Sequence, residues 1–163
     1  MYNNTNAGPS LRNHTIYGRD DDVIYFHGRQ LGFASSERDV HDHPVSYDAN
    51  GTLVSFAPAG ERCSACRWFE VQLFAVECEL TSNDEPIDRR AQYLVVTSGV
   101  SKVPGEVKMR RASWSDSAYE IIELLTQRRT ERPFLPAPSA RVLSQAAAWD
   151  DGIRIAYTSR AVI

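Results

Sequence analysis

Along residues 66–80, CRWFEVQLFAVECEL, apolar side chains recur on both sides of an extended chain. Phe69, Val71, Leu73 and Ala75 fall on one face, and Trp68, Phe74, Val76 and Cys78 on the other. No Gly or Pro interrupts the run. A strand that is apolar on both faces is predicted to lie in the middle of a sheet. Upstream, Val23–Phe26 favours another strand, Gly28-Arg29 is read as a turn, and Leu31–Ala34 as a second short strand. TLVSF at 52–56 reads as a further short strand inside an otherwise irregular stretch, 36–62, broken by Pro44, Asn50-Gly51, Pro58 and Gly60. Downstream, AQYLVVTSG at 91–99 is the expected hairpin partner of the central strand across the polar connection 81–90. Val103-Pro104-Gly105 turns the chain, and Val107, Met109 and Arg111 alternate into a last strand over 106–112.

The period then changes. Ala118, Ile121, Ile122, Leu124 and Leu125 have helical spacing, Ser117 and Glu120 have the spacing of a capping box, and Arg128 and Arg129 suit a C-terminal turn. Pro133, Pro136 and Pro138 break that helix, and Ser139 is read as the N-cap of the next. Val142, Ala146, Trp149, Ile153 and Ala156 recur at helical steps and predict one helix over about 140–159. Gly152 inside it costs about 1 kcal/mol relative to Ala. The alternative is a break at Gly152 and a terminal strand, because Ile153, Ile155 and Tyr157 also alternate. Strands first and helices second predict the α+β class: an antiparallel sheet of about 4–6 strands within residues 22–113, packed by two C-terminal helices at about 116–130 and 140–159.

Residues 1–13 are polar and aperiodic and are read as a flexible N-terminal tail, leaving a single domain over 14–163. A chain of 163 residues buries roughly 70% of its unfolded surface, enough for a core without staples. The net charge of −3 argues against a generic polyanion binder, although a local basic patch is compatible with it. No run approaches the roughly 20 apolar residues of a membrane span, so no membrane partner is expected. The polar start reads as no secretion signal, and three cysteines are too few for a disulfide scaffold. Both point to a reducing, cytoplasmic setting, in which the sequons at 3–5 and 13–15 are inert.

The chemically loudest segment is 41–66, HDHPVSYDANGTLVSFAPAGERCSAC. Cys63 and Cys66 form a Cys-x-x-Cys knuckle that can direct two thiolates at one ion. Structural zinc normally takes four ligands, and His41 and His43, on the same side of an extended chain, are the natural completion. Cys78, His27, Asp42 and Glu61 are alternatives. A structural zinc on this set would order a loop that nothing else in the sequence orders. Redox chemistry fits less well, because this Cys-x-x-Cys leads into a strand and not a helix N-terminus. No His-Glu-x-x-His, Gly-x-Ser-x-Gly, Walker or Gly-x-Gly-x-x-Gly motif occurs, so a catalytic role is not favoured.

Arg110, Arg111, Arg128, Arg129 and Arg132 flank the first helix with Trp114 among them, the mixture that single-stranded nucleic acid and protein hot spots use. The runs HGRQLGFASSERDVHDHP, RWFEVQLFAV, QYLVVTSGVSKVPGE and SAYEIIELLT carry a Trp-x-Glu strand opening and a partner strand ending in Gly-x-Ser-x-Val. Over about residues 27–125 they resemble a type of small protein found in actinobacterial phages and their hosts. The resemblance implies origin and a cytoplasmic context, and carries no catalytic residue. The expectation is a small accessory binding module for a protein partner, with a structural zinc. The alternatives are a nucleic-acid binder using the arginine-rich helix end, and a metal-dependent hydrolase or nuclease with His27, Glu37 or Asp39 near its metal.

Overall fold

The computed structural model describes residues 8–18, 22–37, 45–47, 49–50, 53–56, 67–101, 109–128 and 132–160. Its strands are β1 (Arg12–Tyr17), β2 (Val23–Ser35), β3 (Val45–Tyr47), β4 (Leu53–Phe56), β5 (Arg67–Leu80), β6 (Pro86–Ile87), β7 (Tyr93–Ser101) and β8 (Met109–Ser115). Its helices are α1 (Ala118–Leu125), α2 (Ala137–Ala147) and α3 (Asp151–Arg160). The class is α+β, as the order of patterns predicts. Six strands form one antiparallel sheet in the order β1-β2-β5-β7-β8, with β6 beside the end of β5, and β3 and β4 pair as a separate ribbon.

β5 is the central strand, and its two apolar faces feed two cores. Val71 and Leu73 join Leu31, Ala34, Tyr93 and Val95 on the face covered by the helices. There they meet Ile121, Ile122 and Leu125 of α1, Val142, Leu143 and Ala146 of α2, and Ile153 and Ala156 of α3. Phe74 and Val76 face the other way, into a cluster with Ile16, Phe26, Leu94 and Val96. Phe26 and Leu94 are fully buried although no described helix contributes to that cluster. Each such side chain stabilises the fold by about 1.5–3 kcal/mol.

What buries the second face is the curl of the sheet itself. Phe26 on β2 and Trp114 on β8 are three strands apart, which in a flat sheet means about 14 Å. Their ring centroids are 6.5 Å apart. At the outer edges Arg110 Nη1 of β8 donates to the carbonyl of Tyr17 at the end of β1, 3.0 Å away. The sheet is therefore an open barrel, with its first and last strands facing one another across a gap.

The bend is built into β2. The register with β5 slips between His27 and Gly28 and again between Gln30 and Gly32. Such bulges bend a strand and increase its twist. Gly28, expected to turn the chain, serves instead as a close-approach point, since a Cβ there would lie 2.3 Å from the Ala75 carbonyl oxygen. The two short strands expected at 23–26 and 31–34 are thus one long bent strand. Arg12 and Asn13, read as tail, are the first residues of β1 and pair with Gly28 and His27.

The helical half departs from expectation in three places. α1 stops at Leu125, earlier than 130, because the Thr126 hydroxyl bonds the Ile122 carbonyl at 2.7 Å and Gln127 then bridges to Phe134. α2 begins at Ala137, so Ser139 is not its cap but lies inside its first turn. The single helix expected over 140–159 is two helices. Asp150 interrupts it by accepting from Ile153 N at 2.8 Å, as an N-cap does for α3. Gly152 follows that cap because a Cβ there would lie 2.7 Å from the Tyr93 hydroxyl. The Ser117 cap is as expected, accepting from Glu120 N at 3.3 Å, but Glu120 closes the box indirectly. Its carboxylate accepts from Ser115 Oγ at 2.9 Å, and Ser115 Oγ accepts from Ser117 N at 3.0 Å.

Candidate functional site

The gap between the outer strands is a groove of about 800 Å³. The β1–β2 connection supplies Gly18 and Asp22, and β8 supplies Arg110, Ala112 and Trp114. Strand alternation decides from which face of β8 each basic residue reaches it. Arg110 and Trp114, four positions apart on β8, share a face, and Arg110 Nε lies 3.4 Å from the buried Ser98 Oγ. Arg111 belongs to the opposite face, where it lines a hollow with Leu124 and Gln127, and it also lines the groove.

Trp114 is half-buried, edge-on to Phe26, with the Arg90 guanidinium 5.0 Å from its ring centre. A cation held over a Trp face contributes about 0.5–1 kcal/mol at an exposed site. Arg90 Nε also lies 3.3 Å from Glu79 Oε1, which fixes the guanidinium over the ring. The sequence reading missed Arg90. It stands in the polar connection before β7, and only the return of β7 and β8 brings it to Trp114.

Behind Trp114 lies a buried aromatic cluster that does not itself line the groove. His14 stacks on Phe26 with ring centroids 5.0 Å apart and meets Phe74 edge-on at 5.0 Å. Its Nε2 donates to the Gly28 carbonyl at 3.2 Å. Burial lowers the His14 pKa, with Arg12 and His27 adding to the effect and the Gly28 bond opposing it. His14 therefore sits neutral among the rings at neutral pH.

The remaining expected site residues are dispersed. Arg128 pairs with Glu123 at 2.5 Å on the surface, and Arg132 is exposed beyond the end of α1. Arg129 lies outside the described residues, as do the four expected zinc ligands His41, His43, Cys63 and Cys66, together with Asp39. Among the described residues no group of three or more His, Cys, Asp or Glu could hold a metal ion. Two of the alternative ligands, His27 and Cys78, are direct cross-strand neighbours, but His27 Nδ1 is engaged by Asn13 Oδ1 at 2.8 Å. Glu37 is exposed at the end of β2.

The groove holds no nucleophile paired with a base among the described residues. It offers three guanidinium groups, those of Arg90, Arg110 and Arg111, the Trp114 ring and, along β8, a strand edge that pairs with no other described strand. Asp22 is the opposing charge on its rim. No described helix is long and apolar enough to cross a membrane. Comparison with protein families, with curated proteins and with solved structures finds no match.

Proposed function

We propose that this chain is a non-enzymatic binding module that takes an extended, acidic segment of a protein partner along β8. The observation that carries the reading is the outer edge of β8, unpaired by any described strand and facing the β1–β2 hairpin across the groove with Arg110 between them. An extended peptide added to a sheet edge gains main-chain hydrogen bonds, and pockets for alternate side chains give specificity. Arg110 and Arg90 match acidic side chains on such a segment. Single-stranded nucleic acid is the second reading. It is less favoured because the Trp114 face, which a base would need for stacking, is occupied by Arg90.

The zinc belongs to the same proposal as a structural ion on His41, His43, Cys63 and Cys66, supported by the spacing of those residues in the sequence. Its place is to order the long connection between β2 and β5, and it takes no part in recognition.

The test is fluorescence anisotropy of a labelled, end-blocked alternating Glu–Val peptide, with a labelled single-stranded oligodeoxynucleotide as competitor. Saturable peptide binding that Arg110→Glu weakens by at least about tenfold is expected. No peptide binding, or preferential binding of the oligonucleotide with a steep fall in added salt, would overturn the reading.

A further inference from the structure

We infer that the hollow at the N-terminus of α2 is a binding site for a single phosphate-type oxyanion. It lies on the helix-covered face of the sheet. It shares Phe69, Thr97 and Arg111 with the groove, whereas Ser139 and the start of α2 line the hollow and not the groove.

Four observations converge on it. The first is the end of α2, a helix of 11 residues with Pro136 at its N-cap and no side chain capping it. The first N–H groups of a helix have no partner within it. Pro138 has none to offer, so Ala137 and Ser139 supply the open donors at the positive end of the helix dipole. The second is the hollow itself, about 150 Å³, between this helix end, the end of α1 and the strands β7 and β8. Ser139, Arg111, Ser113, Thr97 and Gln127 give it a polar wall.

The third is Ser139. It is 1% exposed, it lines the hollow, and its hydroxyl has no hydrogen-bond partner among the described residues. A buried hydroxyl left unpaired costs about 1–3 kcal/mol, so it is the kind of group a ligand satisfies. The fourth is charge. Arg111 stands opposite Thr97 in the register of β8 on β7, which points it to this face. It makes no ion pair with any described residue, and no carboxylate is among the residues that line the hollow.

The volume sets the ligand class. Pockets for drug-sized molecules run from about 300 Å³ upward. A hollow of about 150 Å³ takes one small group, such as free phosphate or the phosphate of a monoester. Backbone N–H groups at a helix N-terminus, a hydroxyl and a guanidinium are the donors such an anion recruits. The competing occupant is a cluster of about five waters, from about 30 Å³ of liquid volume each.

Isothermal titration of the whole chain with inorganic phosphate in a chloride buffer of constant ionic strength tests this, with phenyl phosphate as the ester probe. One-site saturation is expected, accompanied by a rise in Tm with ligand concentration. Ser139→Ala and Arg111→Gln should each weaken it by about tenfold, the loss of one hydrogen bond to a charged group. Arg111 is exposed, so its variant keeps the fold even if Ser139→Ala does not. Binding of inorganic phosphate alone would mark a site for the free anion, and binding of phenyl phosphate as well a site for an ester; either supports the inference. A response that does not saturate, or one that Arg111→Gln or a folded Ser139→Ala leaves unchanged, would overturn it and leave the hollow to water.

Discussion

Tyr93 on β7 donates its hydroxyl to Asp150 Oδ1 at 2.8 Å, and the same oxygen accepts from Ile153 N at the start of α3. One carboxylate therefore caps a helix and satisfies the hydroxyl of a nearly buried strand residue. It is the joint that splits the C-terminal helix in two. Asp150→Ala should lower stability by about 1–3 kcal/mol, because it removes a cap and orphans the Tyr93 hydroxyl. Tyr93→Phe should cost less, about 1 kcal/mol, since Asp150 keeps its bond to Ile153. Urea denaturation of the two variants checks the ranking.

The same pair makes the protein sensitive to alkali. Burial raises the Tyr93 pKa, and the bond to Asp150 and the Asp150 charge raise it further. The folded state therefore keeps its proton where the unfolded chain loses it, above the ordinary value of about 10. Stability contributed by Tyr93 is full below about pH 10 and falls as the pH rises beyond it. Tm measured from pH about 9 to 11 should drop more steeply in the wild type than in Tyr93→Phe.

His14 acts in the opposite range. Its pKa is lowered by burial among Phe26 and Phe74. The unfolded chain takes up a proton first, so the contribution is present above about pH 6.5 and is lost as pH falls through the folded value. Acid unfolding should begin on that side of neutrality and be blunted in His14→Gln. Equal acid slopes in both proteins would count against a buried neutral His14.

Gly28→Ala should be strongly destabilising, by about 2–4 kcal/mol, because the new Cβ would meet the Ala75 carbonyl oxygen at 2.3 Å and force the bulge out of register. Gly99→Ala is the contrast. Its nearest neighbour would be Met109 Cβ at 3.9 Å, an ordinary contact, and Tm should change little. Thermal unfolding of the two variants side by side tests whether the bend of β2 depends on that close approach.

Elemental analysis of protein purified without added metal or chelator should give one equivalent of zinc. Cys63→Ser should lose both zinc and stability, and Cys78→Ser should keep both. Retention of zinc by Cys63→Ser would remove Cys63 from the ligand set.

Much of this architecture is legible in the chain because it is local or periodic. The two apolar faces of 66–80 place β5 at the centre of the sheet before any coordinate is known. The change of period after residue 115 places the helices last, and Ser117 announces the start of α1. What is not legible depends on pairing between distant residues. Ser139 reads as a cap because serine is a preferred N-cap residue, yet α2 starts two residues earlier and its docking on the sheet buries Ser139 inside the first turn. Gly28 reads as a turn because glycine often makes one, yet the carbonyl of Ala75, far along the chain, is what requires it.

The sequence by itself determined the fold class, the central strand, the hairpin that follows it and the order of strands before helices. Side-chain periodicity is a property of the backbone geometry alone, and burial follows from it. Only the tertiary structure decided that the sheet curls until Arg110 reaches Tyr17, that Arg90 lies over Trp114, that Arg111 lines both the groove and the hollow while Arg110 lines the groove, and that Asp150 divides the last helix. Each of these depends on strand register and bulge position. Register is set by the sum of many weak cross-strand contacts, and no short stretch of the chain encodes that sum.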